Sequence, residues 1–298
     1  MIIIDLIVNY MFTKNLSIKG LTVLKWSFLL LLLIATTVTQ KIMAQGNLLI
    51  TPRRVVFEGE IKTQELNLAN TGKDTARYNV SIVQYRMKED GSFEEITEPD
   101  PGQNFADKFI RFFPRSVTLA PNEAQVVKMQ LTKTSQLTPG EYRSHVYFRA
   151  VPLEKALGEE EDTKDSTGIS VRLVPIFGIT IPVIIRVGES NTQVTFSDFK
   201  FEMVGDTMPR LGLAFNRTGN MSVYGDIKVN HISDQQKVTE VGLVKGIAVY
   251  TPNAKRRFQL DLKKADGVDF SKGKLEVTYT TQSENKPLKI AEGVFPLK

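Results

Sequence analysis

Residues 169–187 read ISVRLVPIFGITIPVIIRV. β-Branched and apolar side chains run along this stretch far past the five or six residues of a common strand. At about 3.3 Å per residue it would extend roughly 60 Å, more than one small sandwich can cover, so part of it is expected at a sheet edge with unpaired backbone. Such an edge is either hidden in a larger sheet or used to pair with a strand of another protein. A binding role is therefore the first expectation. If the alternation stays in phase, Val171, Leu173, Pro175 and Phe177 face one way, and Arg172, Val174, Ile176 and Gly178 the other. The apolar row could fill a partner's pockets or pack into the chain's own core. Pro175 and Pro182 have no N–H for a ladder, which places the exchangeable segment around 170–177.

On the N-terminal side, short alternating segments recur between turn signals. Leu48 to Phe57, Glu65 to Ala69, Ala76 to Met87, Phe109 to Leu119, Ala124 to Leu131 and Tyr142 to Val151 read as strands. Asn70 to Asp74, Glu89-Asp90-Gly91 and Ala120 to Glu123 read as turns. Seven or so strands with no amphipathic helix between them predict an immunoglobulin-like sandwich. The acidic stretch from Gly158 to Asp162 lacks the spaced ligands of a calcium loop and reads as a solvated connection.

On the C-terminal side, Val194 to Met203, Leu211 to Asn216, Val223 to Val229, Gly242 to Val249, Arg257 to Leu262, Lys274 to Thr281 and Ile290 to Leu297 form a second set of short strands. The fold class is all-β, with two immunoglobulin-like β-sandwich domains in tandem, 45–188 and 189–298. The linker around 186–191 is short, so the lobes are expected to enclose a cleft.

The first 44 residues read as a signal peptide. Lys14, Lys19 and Lys25 precede a Leu-rich core from Trp26 to Ala35, with Met43-Ala44 at a plausible cleavage site before Gln45. Met11 is an alternative start. That core is ten residues, short of the roughly twenty that span a bilayer. An exported, soluble mature chain in the periplasm is expected.

Composition removes several function classes. The net charge is +5, but four Lys and one Asp fall in the first 44 residues, leaving 34 basic against 32 acidic residues. The mature chain is thus near neutral, and Lys255-Arg256-Arg257 is too short a cluster for a nucleic-acid face. With no Cys and only His145 and His231, thiolate and histidine metal sites are not expected, and the lobes must be held by packing alone. Each His reads as a strand residue satisfied by a neighbour or by water. No nucleophile elbow, phosphate loop or paired histidine motif is present, so no enzyme activity, cofactor or small-molecule substrate is expected.

Four blocks in order, TPRRVVFEGEIKTQELNLANTG (51–72), LAPNEAQVVKMQL (119–131), GEYRSHVYFRAVP (140–152) and GITIPVIIRV (178–187), resemble the first-domain landmarks of the PapD-like periplasmic chaperones of pilus assembly. The second half is similar to theirs in size and strand content. The resemblance implies a chaperone that binds pilin-like subunits by lending its long strand, here about 169–187, and passes them to an outer-membrane usher. It also implies two basic residues in the cleft that anchor the subunit's terminal carboxylate. Arg54 falls on the arginine position, either as that anchor or as a solvated strand residue. The lysine position falls on Pro182 or its neighbours, and no Lys occurs from Ile169 to Val187. Arg53 or Arg186 could share its task. The competing class is a secreted structural or adhesive module of two sandwiches that delivers no client.

Overall fold

The computed structural model describes residues 48–152, 176–282 and 286–297. All of them belong to one compact unit, Gln45–Lys298. The leader, the acidic connection, and Val171, Leu173 and Pro175 lie outside the described residues.

The first lobe is two facing sheets. One holds, in spatial order, β1 (Leu48–Thr51), β3 (Thr63–Asn70), β9 (Ala124–Leu131) and β7 (Ile110–Phe113); the other holds β2 (Val55–Phe57), β11 (Gly178–Val187), β10 (Gly140–Val151), β4 (Ala76–Val83) and β8 (Ser116–Leu119). A two-stranded hairpin, β5 (Tyr85–Met87) with β6 (Phe93–Glu95), projects from the lobe. Three segments expected as single strands are each broken in two. Leu48 to Phe57 splits around Pro52 and Phe109 to Leu119 around Pro114, and in both cases the halves belong to opposite sheets. A proline cannot donate to a ladder, so the chain leaves one sheet there and crosses to the other. Ala76 to Met87 divides at Gln84, beyond which the hairpin departs.

Alternation does the rest. Leu66 and Leu68 from β3, Val127 and Met129 from β9, Val146 and Phe148 from β10, and Val183 and Ile185 from β11 are fully buried between the sheets. Each such side chain contributes about 1.5–3 kcal/mol, which in a chain without disulfides must hold the lobe.

The second lobe repeats the architecture with β12 (Gln193–Val204), β13 (Met208–Thr218) and β16 (Lys255–Asp261) in one sheet, and β15 (Val238–Val249), β14 (Val223–Ile232), β17 (Lys274–Thr281) and β18 (Lys289–Pro296) in the other. Leu211, Leu213 and Phe215 face Ile227, Val229, Leu275, Val277 and Tyr279 across its core. The Tyr279 hydroxyl, enclosed by that core, donates to the Ile247 carbonyl at 2.7 Å. The architecture is all-β, two immunoglobulin-like sandwiches in tandem.

A third, smaller apolar cluster joins the lobes: Met87 and Ile184 from the first, Ala248 and Tyr250 from the second. The hairpin reinforces it. Asn253 Nδ2 donates to the Met87 carbonyl at 2.7 Å, and the Arg257 amide to the Glu89 carbonyl at 2.6 Å. Gly91 turns the hairpin with φ +84°, a backbone that favours glycine, and the Arg256 guanidinium lies against it.

Candidate functional site

The long strand has two unlike halves. On one side β11 pairs with β10 along its whole length, Gly140 opposite Val187 through Arg149 opposite Gly178. On the other side β2 runs parallel to it over Val183–Ile185 only. From Gly178 to Pro182 that second edge has no partner strand among the described residues. The side chains tell the same story. Ile181, Val183 and Ile185 lie in the core, whereas Ile179, two residues before them on the same face, is exposed, and Phe177 is 61% exposed. Phe177 still extends the ladder, since its carbonyl accepts from the Ala150 amide at 2.9 Å. The core-facing row thus runs out of its own sandwich and continues uncovered.

Gly178 fits that edge for a steric reason. The Tyr147 ring lies over it, so that a Cβ would come within 2.2 Å of the ring. An aromatic side chain laid over a strand glycine restores cover that the glycine lacks.

The other face of the same sheet looks toward the second lobe. On β10, Glu141, Arg143 and His145 alternate with Tyr142, Ser144 and Val146, and all six are buried. Glu141 is the tie. Its carboxylate accepts from the Ser222 amide at 3.0 Å, the Ser222 hydroxyl at 2.7 Å and, at 3.3 Å each, the Thr251 hydroxyl and Arg186 Nε. Arg186 also donates to the Ser222 carbonyl at 2.8 Å. One buried carboxylate from the first lobe therefore holds two segments of the second.

A cleft of about 940 Å³ opens between the lobes beside this tie, with Arg54, Glu58, Arg186, Ser222, Tyr224 and Gly246 in its wall. Arg53, Lys245 and Lys289 also line it, and Glu58 is its one carboxylate among the described residues. Arg54 sits immediately before β2. Extending the parallel register of β2 and β11 one residue back sets it beside Pro182, whose antiparallel partner is His145. The position expected for a lysine thus lies between Arg54 and His145.

Arg54 is largely desolvated, its guanidinium carbon 4.6 Å from the Tyr224 ring centroid and 5.9 Å from that of Tyr250. Its Nε and Nη1 are buried without a hydrogen-bond partner among the described residues. Burial pushes its pKa below the usual arginine range, with the neighbouring charge of Arg186 acting in the same sense. An enclosed guanidinium with idle N–H groups at a basic cleft is suited to a carboxylate, which it can grip with two charge-assisted bonds. Arg53 is exposed at the cleft rim, and Arg186 is engaged by Glu141 and Ser222.

Arg143, Glu141, Tyr224 and Tyr250 were not singled out as site residues from sequence. The available signal was the charged face of β10, opposite its apolar face, on a strand whose length made it central. His145 is 4% exposed, with Nδ1 unpartnered among the described residues, and packs edge-on against Tyr85 and Phe93. Burial, with the adjacent Arg143 charge, lowers its pKa to about 3. His231 Nε2 bonds the Lys272 carbonyl at 2.9 Å.

No family model and no curated protein matches the chain. Among solved structures it is similar to the CupB2 chaperone of Pseudomonas aeruginosa, with 13% identity and a TM-score of 0.40 over 84% of this chain and all of that one. It is also similar to the class 5 fimbriae chaperone CfaA, with 13% identity and a TM-score of 0.39 over 85% of this chain and 99% of that one. A chain of the Salmonella enterica SafA pilin–SafB chaperone complex matches with 14% identity and a TM-score of 0.40, over 84% of this chain and 96% of that one.

Proposed function

We propose that the chain is a divergent PapD-like periplasmic chaperone, exported by its first 44 residues, with 45–188 and 189–298 as its two domains. It binds pilin-like subunits by lending the strand that ends at Val187, and holds the subunit's terminal carboxylate at Arg54. The observation that carries this reading is the open edge of β11. A strand that is locked into a sandwich at Val183–Ile185 continues N-terminally with one backbone edge unpaired among the described residues and an exposed apolar row at Ile179 and Phe177. Backbone pairing along such an edge supplies affinity, and the side-chain row supplies selectivity. The basic cleft with Arg54 in its wall supports a carboxylate at the end of the added strand. Binding rather than catalysis is the activity, and delivery to an outer-membrane usher is part of the proposal.

The test is purification of the tagged chain from its native envelope, followed by mass spectrometry. A co-purifying subunit whose sandwich lacks its last strand is the expected result. Recovery of the chain as a stoichiometric component of an assembled surface fibre would overturn the chaperone reading and favour a structural module.

A further inference from the structure

Four groups meet at the lobe junction: the guanidiniums of Arg54, Arg143 and Arg186, and the carboxylate of Glu141. Glu141 is committed to Arg186 and Ser222. Arg143 is 2% exposed, and among the described residues its guanidinium makes one long hydrogen bond, from Nη2 to the Thr251 carbonyl at 3.4 Å. Its Nε and Nη1, like those of Arg54, have no partner among the described residues. Both guanidiniums address one ring, with Arg143 at 4.5 Å and Arg54 at 5.9 Å from the Tyr250 centroid. Buried charges are ordinarily paired, because removing an ion from water without compensation is expensive. Here the compensation within the described residues falls short.

We infer that Arg143 is the second positive charge of the carboxylate anchor, acting behind Arg54 in place of the lysine that Pro182 displaces. This rests on the carboxylate reading of Arg54 above. Arg143 stands one strand from the expected lysine, opposite Ile184 on β10, while Pro182 is opposite His145 two residues along. Both strands turn this face toward the second lobe. Arg54 lines the cleft and supplies the hydrogen-bonding fork, whereas Arg143 supplies charge through a buried layer that salt screens poorly. Tyr224 lies on Arg54 at the cleft wall, on the side from which the carboxylate would enter. Arg143 is thus a positioning residue, and what it contributes depends on its charge more than on its shape.

The probe is a short labelled peptide of alternating Val and Thr with a free terminal carboxylate, compared with its carboxamide twin by fluorescence anisotropy. Wild type should prefer the carboxylate by roughly thirtyfold, the scale of losing one side of a buried charged pair. Arg143→Met should cut that preference about tenfold, and Arg143→Lys, which keeps the charge, should retain most of it. Arg54→Lys should retain only part, since it loses the fork. Thermal melts accompany each variant. Arg143→Met removes an uncompensated buried charge and should melt no lower than wild type. A preference unchanged in Arg143→Met but lost in Arg54→Gln would overturn this inference and leave the anchor reading standing. Melting well below wild type in both Arg143 variants would also overturn it, by assigning Arg143 to lobe packing. A wild-type chain that does not bind the peptides, or does not distinguish them, would overturn the carboxylate reading and this inference together.

Discussion

Glu141 and Arg186 are direct cross-strand partners on β10 and β11, and the same carboxylate reaches across the lobe junction to the amide and hydroxyl of Ser222. The pair is enclosed on the carboxylate side, where the Glu141 side chain has no exposed surface. Replacing it with Ala would take the acceptor from the Ser222 amide and hydroxyl and leave Arg186 with the Ser222 carbonyl and a 3.9 Å ion pair to Glu58. Glu141→Ala should therefore lower the unfolding free energy by about 3–5 kcal/mol, the scale for breaking a buried pair from one side. Urea denaturation checks this; a loss under about 1 kcal/mol, the scale of an exposed pair, would count against the tie.

Arg54→Ala should leave the fold intact and weaken binding of the co-purified subunit by about 2–5 kcal/mol. Arg54→Lys should recover part of the loss, because an ammonium cannot reproduce the planar fork. Isothermal titration with the subunit decides; equal affinity in wild type and Arg54→Ala would exclude Arg54 as anchor.

Phe177→Glu tests the open edge. Phe177 is exposed, so the substitution should change stability by no more than about 0.5 kcal/mol. In a lent strand the new charge would enter an apolar pocket of the subunit, where it is strongly disfavoured, and capture should fail. Ile181→Glu is the contrast: on the same face but within the core, it should unfold the lobe itself. A large drop in melting temperature for Phe177→Glu would argue that the row is already packed.

His145 gives the chain an acid sensitivity. Its pKa is about 6.5 in the unfolded chain and about 3 in the folded one, so the unfolded state binds the proton first as pH falls. The neutral imidazole's contribution is complete above about pH 6.5 and is lost progressively down to about pH 3, at up to roughly 1.4 kcal/mol per unit. Denaturation midpoints measured across that window should fall less steeply in His145→Phe than in wild type. Parallel curves would mean that His145 does not titrate in this range.

The strands of both lobes were legible because half-buried sheets print their alternation directly. Ala124 to Leu131 and Lys274 to Thr281 are strands over the very residues the alternation marks. The breaks at Pro52 and Pro114 were not legible, although both prolines were visible. A proline states that pairing is interrupted, but whether the chain resumes in the same sheet depends on distant partners. Arg54 was found through a resemblance, and the structure adds its burial and idle N–H groups. Arg143 was passed over because alternation assigns a charged strand residue to solvent. Here the solvent side of β10 is occupied by a second lobe, and no local pattern announces that.

The parallel pairing of β2 with β11 also sets an order of events. Val55–Phe57 finds its partner in Val183–Ile185, at the far end of the first lobe's sequence. Contacts between remote segments form late, because the intervening chain must first be brought together. Arg54, directly ahead of β2, acquires its neighbours Tyr224 and Tyr250 only when that strand has docked and the second lobe has closed on the first. On the reading proposed above, a nascent or half-folded chain would display no working grip, and the capacity to capture would come only with completion of the captor's own fold.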